Sequence, residues 1–266
     1  MRTNIILVAM SSALLVSESQ CVTIYNNLDN GGGGNTSFGG GAGFPASRTL
    51  VGEDVSTLAP TNAGDTWQVD SISFFTLAFG NGVSSTTFSN VTVEVIFYEG
   101  VTGTGVDGAL GNSLAASFGS ATELGRETFE LGSFSTGANG GNLSRSNTVE
   151  FTEAINIGDG QNIGVTFGFD DDTVTVDDDL VARTGGLALA YRTGGSGPTP
   201  AIGSTSDRNF RDGDLDGEIS SSADDFGFGG DIGGRFSIEA TAVAVPEPTS
   251  ITLLGLVGLG LVVRRR

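Results

Sequence analysis

Residues 91–98 read Val-Thr-Val-Glu-Val-Ile-Phe-Tyr, and this stretch indicates the fold class most directly. Apolar side chains at positions 91, 93, 95 and 97 alternate with Thr92, Glu94, Ile96 and Tyr98, which is the period that places successive side chains on opposite faces of a strand. β-branched and aromatic residues are the types enriched in strands. The stretch therefore predicts a β-strand with one buried face and one solvated face.

The same alternation recurs along the chain, and no stretch sustains the 3.6-residue period of an amphipathic helix. The clearer repeats lie at residues 67–79, 163–169, 187–191 and 236–242, and the weaker ones lie at residues 22–25, 127–134, 149–151 and 174–176. Segments rich in Gly, Asn, Asp and Ser separate them, so we predict about nine or ten strands. This pattern, with 17 Phe for a core, predicts an antiparallel β-sandwich body, jelly-roll-like, over residues 20–243.

Two longer segments are predicted to be irregular loops. Residues 27–43 are rich in Gly, and residues 193–214 contain both Gly and Pro. The first segment superficially looks like a phosphate-binding loop, but neither the Lys nor the helix of such a loop follows it. We therefore interpret it as low-complexity sequence.

The charge of the chain is strongly acidic. The 266 residues include 12 basic residues, all of them Arg, against 31 acidic ones, for a formal net charge of −19. Such a surface repels nucleic-acid phosphates and anionic lipids and attracts divalent cations. The composition therefore excludes nucleic-acid binding as a function.

The absence of His and the presence of a single Cys restrict the available chemistry. One Cys permits no intramolecular disulfide, and a chain without His builds no His/Cys zinc site. The Ser-His-Asp and Cys-His mechanisms lack their general base. Any catalysis would have to depend on carboxylates, with Arg or Tyr in support.

The first 19 residues have the layout of a secretory signal peptide. Arg2 supplies a positive charge, residues 5–16 form an apolar stretch, and Ser17 and Ser19 place small side chains before a cut at Gln20. The apolar stretch is too short to span a membrane permanently. A buried first strand or helix is the alternative interpretation.

The C-terminus combines three features in order. Pro246 and Pro248 flank Glu247 and hold the backbone extended, because proline lacks an amide donor and restricts the residue before it. The apolar residues 251–263 would form a helix about 20 Å long, shorter than the ~30 Å hydrocarbon core, which suits a temporary anchor. The final residues, which would stay on the cytoplasmic side, are Arg264, Arg265 and Arg266.

Together, these three features resemble the PEP-CTERM sorting signal, over about residues 245–266. The resemblance implies recognition of Pro246, Glu247 and Pro248 by exosortase, a membrane-embedded processing enzyme of Gram-negative bacteria that make exopolysaccharide. It also implies that residues 244–266 anchor the chain transiently in the inner membrane before delivery to the cell surface or extracellular matrix. An ordinary single-pass anchor with a chance Pro-Glu-Pro is the alternative.

One acidic segment, residues 212–219, follows the pattern D-x-D-x-D-G-x-I of a calcium loop. Carboxylates at alternate positions converge on one cation, Gly217 permits the sharp turn, and Ile219 anchors the loop to the core. Ala223 occupies the twelfth position, where an EF-hand has Glu, and the alternative to a calcium site is a solvated acidic hairpin. The candidate calcium ligands are Asp212, Asp214, Asp216, Glu218 and Asp224.

These patterns predict an exported, non-catalytic protein of the cell surface or the exopolysaccharide matrix. Calcium would rigidify the acidic loop and bridge the body to anionic polysaccharide. A carbohydrate-binding module is one alternative, and it predicts Trp67 or Tyr191 exposed beside a concave sheet. A carboxylate-dependent glycosidase is another, and it predicts a cleft lined by acids, one of them with a raised pKa.

Overall fold

The chain folds almost entirely into β-strands. The computed structural model describes residues 20–28, 35–37, 50–79, 85–104, 107–108, 116–158, 162–170, 173–176, 186–193, 200–211, 219, 225–229 and 232–245. Helical structure within these ranges is confined to a 3-10 turn at Ala138–Gly140. No helix in this part of the chain has the length and apolarity needed to cross a membrane.

The first sheet contains eight strands. The strands are β1 (Cys21–Asn26), β2 (Asn35–Ser37), β4 (Thr66–Phe79), β8 (Leu143–Glu150), β9 (Asn156–Ile157), β12 (Gly186–Thr193), β15 (Ile232–Gly234) and β16 (Phe236–Val243). Five of them follow the order β1-β16-β4-β12-β15, while β2 pairs with β12, and β8 and β9 pair with β4, all antiparallel.

The second sheet also contains eight strands, in the order β10-β3-β13-β14-β7-β5-β11, with β6 on β14 and a further pairing of β10 with β5. All of these pairings are antiparallel except β14 with β6. The strands are β3 (Val51–Ser56), β5 (Thr86–Thr104), β6 (Asp107–Gly108), β7 (Ala116–Ser135), β10 (Asn162–Asp170), β11 (Thr173–Val176), β13 (Ser204–Arg211) and β14 (Asp225–Gly229).

The main hydrophobic core lies between the two sheets. Phe74 and Phe236 from the first sheet contact Phe167 from the second, with ring centroids 5.2 and 5.5 Å apart. The alternating residues of β5 point into this core, since Val91, Val93, Val95 and Phe97 are all fully buried. This confirms the all-β, antiparallel class predicted from residues 91–98.

The opposite face of β5 is only partly solvated. Ile96 and Tyr98 point away from the main core, yet they are buried in a second cluster with Leu50, Val101 and Ile219. Burial of the phenol raises the pKa of Tyr98. The expectation that each strand exposes one whole face is therefore wrong at this end of β5, where an apolar cover replaces water.

Residues 67–79, whose alternation predicts either a strand pair or one bulged strand, form one strand, β4, whose pairing with β16 is interrupted by a bulge, so the second alternative is confirmed. Other sequence-based strand assignments need correction. The segments predicted as loops, 27–43 and 193–214, contain β2 and β13 respectively. Sixteen strands occur in the described part of the chain, more than the nine or ten predicted, because strands such as β3 and β13 carry too many Gly and polar residues to show the alternation.

Gly203 provides a sharp test of the packing between the sheets. Its φ is +77°, and a Cβ added there would collide with the carbonyl oxygen of Ser56 and lie 3.0 Å from the Tyr25 ring. We expect Gly203→Ala to lower the free energy of unfolding by roughly 2–4 kcal/mol, through strain at positive φ and overpacking. Chemical denaturation measures the loss.

Gly64 is the matched control for this substitution. Its φ is +91°, but a Cβ added there would meet no atom within 4 Å. Gly64→Ala should therefore cost only the backbone strain, about 1–2 kcal/mol. Equal losses in the two variants would show that the contact of Gly203 with the chain around Ser56 carries no packing energy.

Candidate functional site

The predicted sorting tail follows β16, the last strand of the first sheet. β16 lies between β1 and β4, and its last residue, Val243, pairs with Thr66 at the first residue of β4. Ala244 and Val245 follow with exposed side chains. The predicted sorting residues, which lie outside the described residues, are Pro246, Glu247, Pro248, Arg264, Arg265 and Arg266.

The acidic segment is the connection of a β-hairpin. Arg211 at the end of β13 pairs with Asp225 at the start of β14, so residues 212–224 link two antiparallel strands rather than two helices. Ile219, near the middle of this connection, is 2 % exposed and packs on the outer face of the second sheet with Leu50 and Ile96. The apolar anchor predicted for the loop is therefore confirmed.

The proposed metal ligands themselves are not placed by the structure. They lie outside the described residues and comprise Asp212, Asp214, Asp216, Glu218 and Asp224. Elsewhere, within the ranges that the structure describes, no group of three or more His, Cys, Asp or Glu side chains is arranged to hold a metal ion. The calcium site remains a prediction from the spacing of the carboxylates.

Glu53 is a buried acid that sequence reasoning missed. It lies on β3 with no exposed surface, accepts a hydrogen bond from the Thr205 hydroxyl, and accepts another from the Gly234 amide at 2.5 Å. Because β3 and Gly234 belong to different sheets, this carboxylate joins the two sheets through a polar contact. Thr205 precedes the acidic connection and Gly234 follows it, so both flanks of that connection contact one side chain.

The ion pairs of the body hold strands together. The Arg126 guanidinium donates to both carboxylate oxygens of Glu123, at 2.9 and 2.5 Å, and to Glu94 across the β5–β7 pairing at 3.3 Å. These hydrogen bonds from Arg126 lower the pKa of Glu123. The pair therefore stabilises the fold above the ordinary Glu pKa, and this contribution is lost as the pH falls through the lowered value.

Two further arginines also make contacts within the fold. Arg145 on β8 donates to the carbonyl oxygens of Leu131 and Ser133 on β7, which ties an outer strand of the first sheet to the second. Arg235 stacks over the Phe75 ring, 3.7 Å from its centroid, and donates to the carbonyl oxygen of Leu28. The three arginine side chains that the structure describes thus all make contacts that stabilise the fold.

Glu127 stabilises a turn. Partial burial acts to raise its pKa, but hydrogen bonds from the Thr152 hydroxyl and from the Thr152 and Glu153 amides outweigh that effect and lower the pKa. A carboxylate held in its charged form by donors suits a structural role. A general acid requires the opposite shift.

Cys21 is exposed at the start of β1, and its thiol is held in the neutral form. Partial burial of the sulfur and the neighbouring carboxylates of Asp70 and Glu239 raise the thiol pKa to about 11. The Glu239 carboxylate lies 3.9 Å from the sulfur. Since the thiolate is the reactive form, Cys21 is a poor nucleophile at neutral pH.

Trp67 is buried within the fold. Its side chain is 5 % exposed, and its indole nitrogen donates to the carbonyl oxygen of Leu58 at 2.6 Å. The expectation of an exposed Trp67, made by the carbohydrate-binding alternative, is wrong because the ring fills the core at the start of β4. The side chain of Tyr191, the other aromatic of that alternative, lies outside those the structure describes.

The fold and the junction define a class of protein, an antiparallel β body with a sorting segment directly after its last strand. Residues 244–266 match the model of the PEP-CTERM protein-sorting motif, which confirms the resemblance seen in the sequence. This motif implies that the chain is exported, sorted through its tail and processed by exosortase. No curated protein and no solved structure matches it.

Proposed function

We propose that the β body is a non-catalytic component of the cell surface or exopolysaccharide matrix, held transiently in the inner membrane by its tail and then released by exosortase. The observation that carries this proposal is the direct passage from β16, paired on both sides, into the matched sorting motif. The tail therefore delivers a folded β body. The proposal includes a signal peptide over residues 1–19, a jelly-roll-like body over residues 20–243 and an apolar helix over residues 251–263.

The charge of the body supports a matrix role that depends on divalent cations. The chain carries a net charge of −19, and the three described arginine side chains are engaged in contacts within the fold. An acidic protein among anionic polysaccharides needs cations to bring the two together. Calcium, bound by carboxylate oxygens, supplies that bridge, and the anchoring of Ile219 supports a loop held against the second sheet.

Calcium binding by the full chain in detergent tests the ligand set. We expect calorimetry to show heat on calcium addition, and we expect EDTA to lower the melting temperature, since an ion bound only to the folded state stabilises it. Asp214→Ala and Asp216→Ala should each abolish both effects, because each removes a carboxylate from the centre of the pattern.

Glu130→Ala is the control for the charge change. Glu130 is exposed on β7 and lies outside the acidic connection, so the variant removes one negative charge from another part of the surface. It should retain the binding heat and the melting shift. If the unaltered chain shows neither binding heat with calcium nor a lower melting temperature with EDTA, residues 212–224 are a solvated hairpin connection and do not bind calcium.

The two alternative functions receive less support. The burial of Trp67 counts against a carbohydrate-binding module that stacks a sugar on that ring. The lowered pKa values of Glu123 and Glu127 suit structural carboxylates, whereas a glycosidase needs an acid with a raised pKa. Incubating the chain with acidic and neutral polysaccharides and measuring new reducing ends checks the second alternative, and we expect none to form.

A further inference from the structure

Exposed hydrophobic side chains gather at one end of the first sheet. Val22, Leu58 and Val245 are 39, 47 and 52 % exposed, and they make up three of the four exposed large hydrophobic residues in the described part of the chain. The fourth, Leu143, pairs with Ala78 near the far end of β4. We name the three residues Val22, Leu58 and Val245 the apolar rim.

The strand pairings place the apolar rim along the second half of β16 and just beyond its last residue, and the Leu58 amide donates to the carbonyl oxygen of Ile24 on β1. Val22 pairs with Ala240, and Val245 follows two residues after the pairing of Val243 with Thr66. The Leu58 carbonyl oxygen accepts the indole hydrogen bond of Trp67, which is the second residue of β4. Leu143 pairs with Ala78, so it is separated from Thr66 at this end by most of the length of β4, roughly 40 Å at 3.3 Å per residue.

Both ends of the body emerge beside the apolar rim. Cys21, the first residue of β1, pairs with Thr241 near the end of β16, so the two strands begin and finish side by side, about 5 Å apart. An apolar stretch lies beyond each of these strand ends, at residues 5–16 and 251–263. Before the signal peptide is removed, the body is therefore connected to both apolar segments at the same end of the first sheet, and after its removal the body stays connected to residues 251–263 at that end.

The chain between β16 and the apolar segment is short. Residues 244–250 span at most about 25 Å when fully extended, since each residue covers no more than 3.6 Å. The polar zone on one side of the hydrocarbon core is itself about 5–7 Å thick. A body tethered in this way turns the end that carries the apolar rim towards the lipid.

We propose that the apolar rim docks on the outer surface of a zwitterionic lipid bilayer while the chain is anchored. The proposal rests on the proposed transient anchoring of the tail. Apolar side chains gain free energy by entering the interfacial region of a bilayer. The carboxylates of Asp70 and Glu239 on the adjacent strands repel anionic headgroups, which makes zwitterionic lipid the fitting partner.

A fluorescent probe on the full chain in phosphatidylcholine vesicles tests this docking. The Cys21→Ser substitution first removes the native thiol. The probe is then attached at one of two exposed positions. Ala63→Cys lies just before β4, and Ala138→Cys lies beside the start of β5, far from the apolar rim. A nitroxide on the lipid headgroups quenches the probe when it lies at the surface. A twelve-residue Gly-Ser spacer inserted between Val245 and Pro246 adds roughly 20 Å of reach and separates docking from simple tethering.

We expect quenching at position 63 to exceed that at position 138 at least about twofold and to persist with the spacer, because docking does not depend on a short tether. With the spacer present, Leu58→Asp should reduce the quenching at position 63 to the level at position 138. Leu143→Asp, the same change at an exposed Leu near the opposite end of β4, should leave the quenching at position 63 unaltered.

Three outcomes would overturn the docking. If the spacer alone lowers the quenching at position 63 to that at position 138 while the chain still floats with the vesicles, anchoring stands and docking is wrong. If the chain does not float with the vesicles at all, the anchoring by the tail fails and the docking fails with it. If the Leu58→Asp variant with the spacer keeps its quenching at position 63, the apolar rim does not cause the docking.

Discussion

Phe167→Ala is expected to lower the free energy of unfolding by about 3–5 kcal/mol, the range measured for large aromatic side chains removed from cores. Phe167 is 1 % exposed and lies between Phe74 and Phe236 of the opposite sheet. Its removal leaves a cavity in the contact between the two sheets, where neither strand can move inwards without breaking its pairings. Urea denaturation followed by Trp67 fluorescence measures the loss, since Trp67 lies in the same core.

Leu143→Ala is the control for this prediction. Leu143 is 51 % exposed, so its truncation should change the free energy of unfolding by no more than about 0.5 kcal/mol. A loss in Phe167→Ala as small as that in Leu143→Ala would show that the two sheets do not share a packed core. The face-to-face packing of the sheets would then be wrong.

Replacing Pro246, Glu247 and Pro248 together by Ala is expected to abolish release of the body. Three Ala residues would allow the helix that we propose for residues 251–263 to extend back towards β16, and they would remove the two prolines that favour an extended backbone. The full-length chain should then accumulate in the inner membrane. Fractionation and immunoblotting of cells that make exosortase measure the loss of the shortened, surface-exposed product.

A second variant separates recognition from helix length. Thr249→Ala with Ser250→Ala changes the same stretch of chain but keeps the Pro-Glu-Pro sequence, so processing should continue. If this control also accumulates unprocessed, the effect of the triple substitution reflects the helix rather than the motif. If the triple variant is released normally, Pro246, Glu247 and Pro248 do not direct processing.

Sequence reasoning predicted well the strands in which apolar and polar side chains alternate, because the alternation shows which face of the strand is buried. In β5, Val91 to Phe97 alternate because one face lies in the main core, and β10 and β16 show the same signal. β3 reads Val-Gly-Glu-Asp-Val-Ser and β13 is largely polar, so neither shows the alternation. Their pairing with each other depends on contacts between residues about 150 positions apart, which no local pattern reports.

The features of the candidate site also differ in whether the sequence alone predicts them. The sorting motif is predictable because the two prolines, the length of the apolar stretch and the terminal charge are all local properties of the sequence, and Ile219 is predictable as the apolar residue of a calcium-loop pattern. Glu53 is not, because Gly-Glu-Asp resembles a solvated turn when read alone. Its buried position follows only from the approach of Thr205 and Gly234, which tertiary structure brings together.

The most direct test of the account is the intact mass of the protein recovered from the cell surface of an exosortase-containing host. The account predicts a body that begins at Gln20 and lacks the apolar residues 251–263 and the terminal Arg cluster. Recovery of the body with its whole tail still attached, or its retention in the cytoplasm with residues 1–19 present, would contradict export and sorting through the tail.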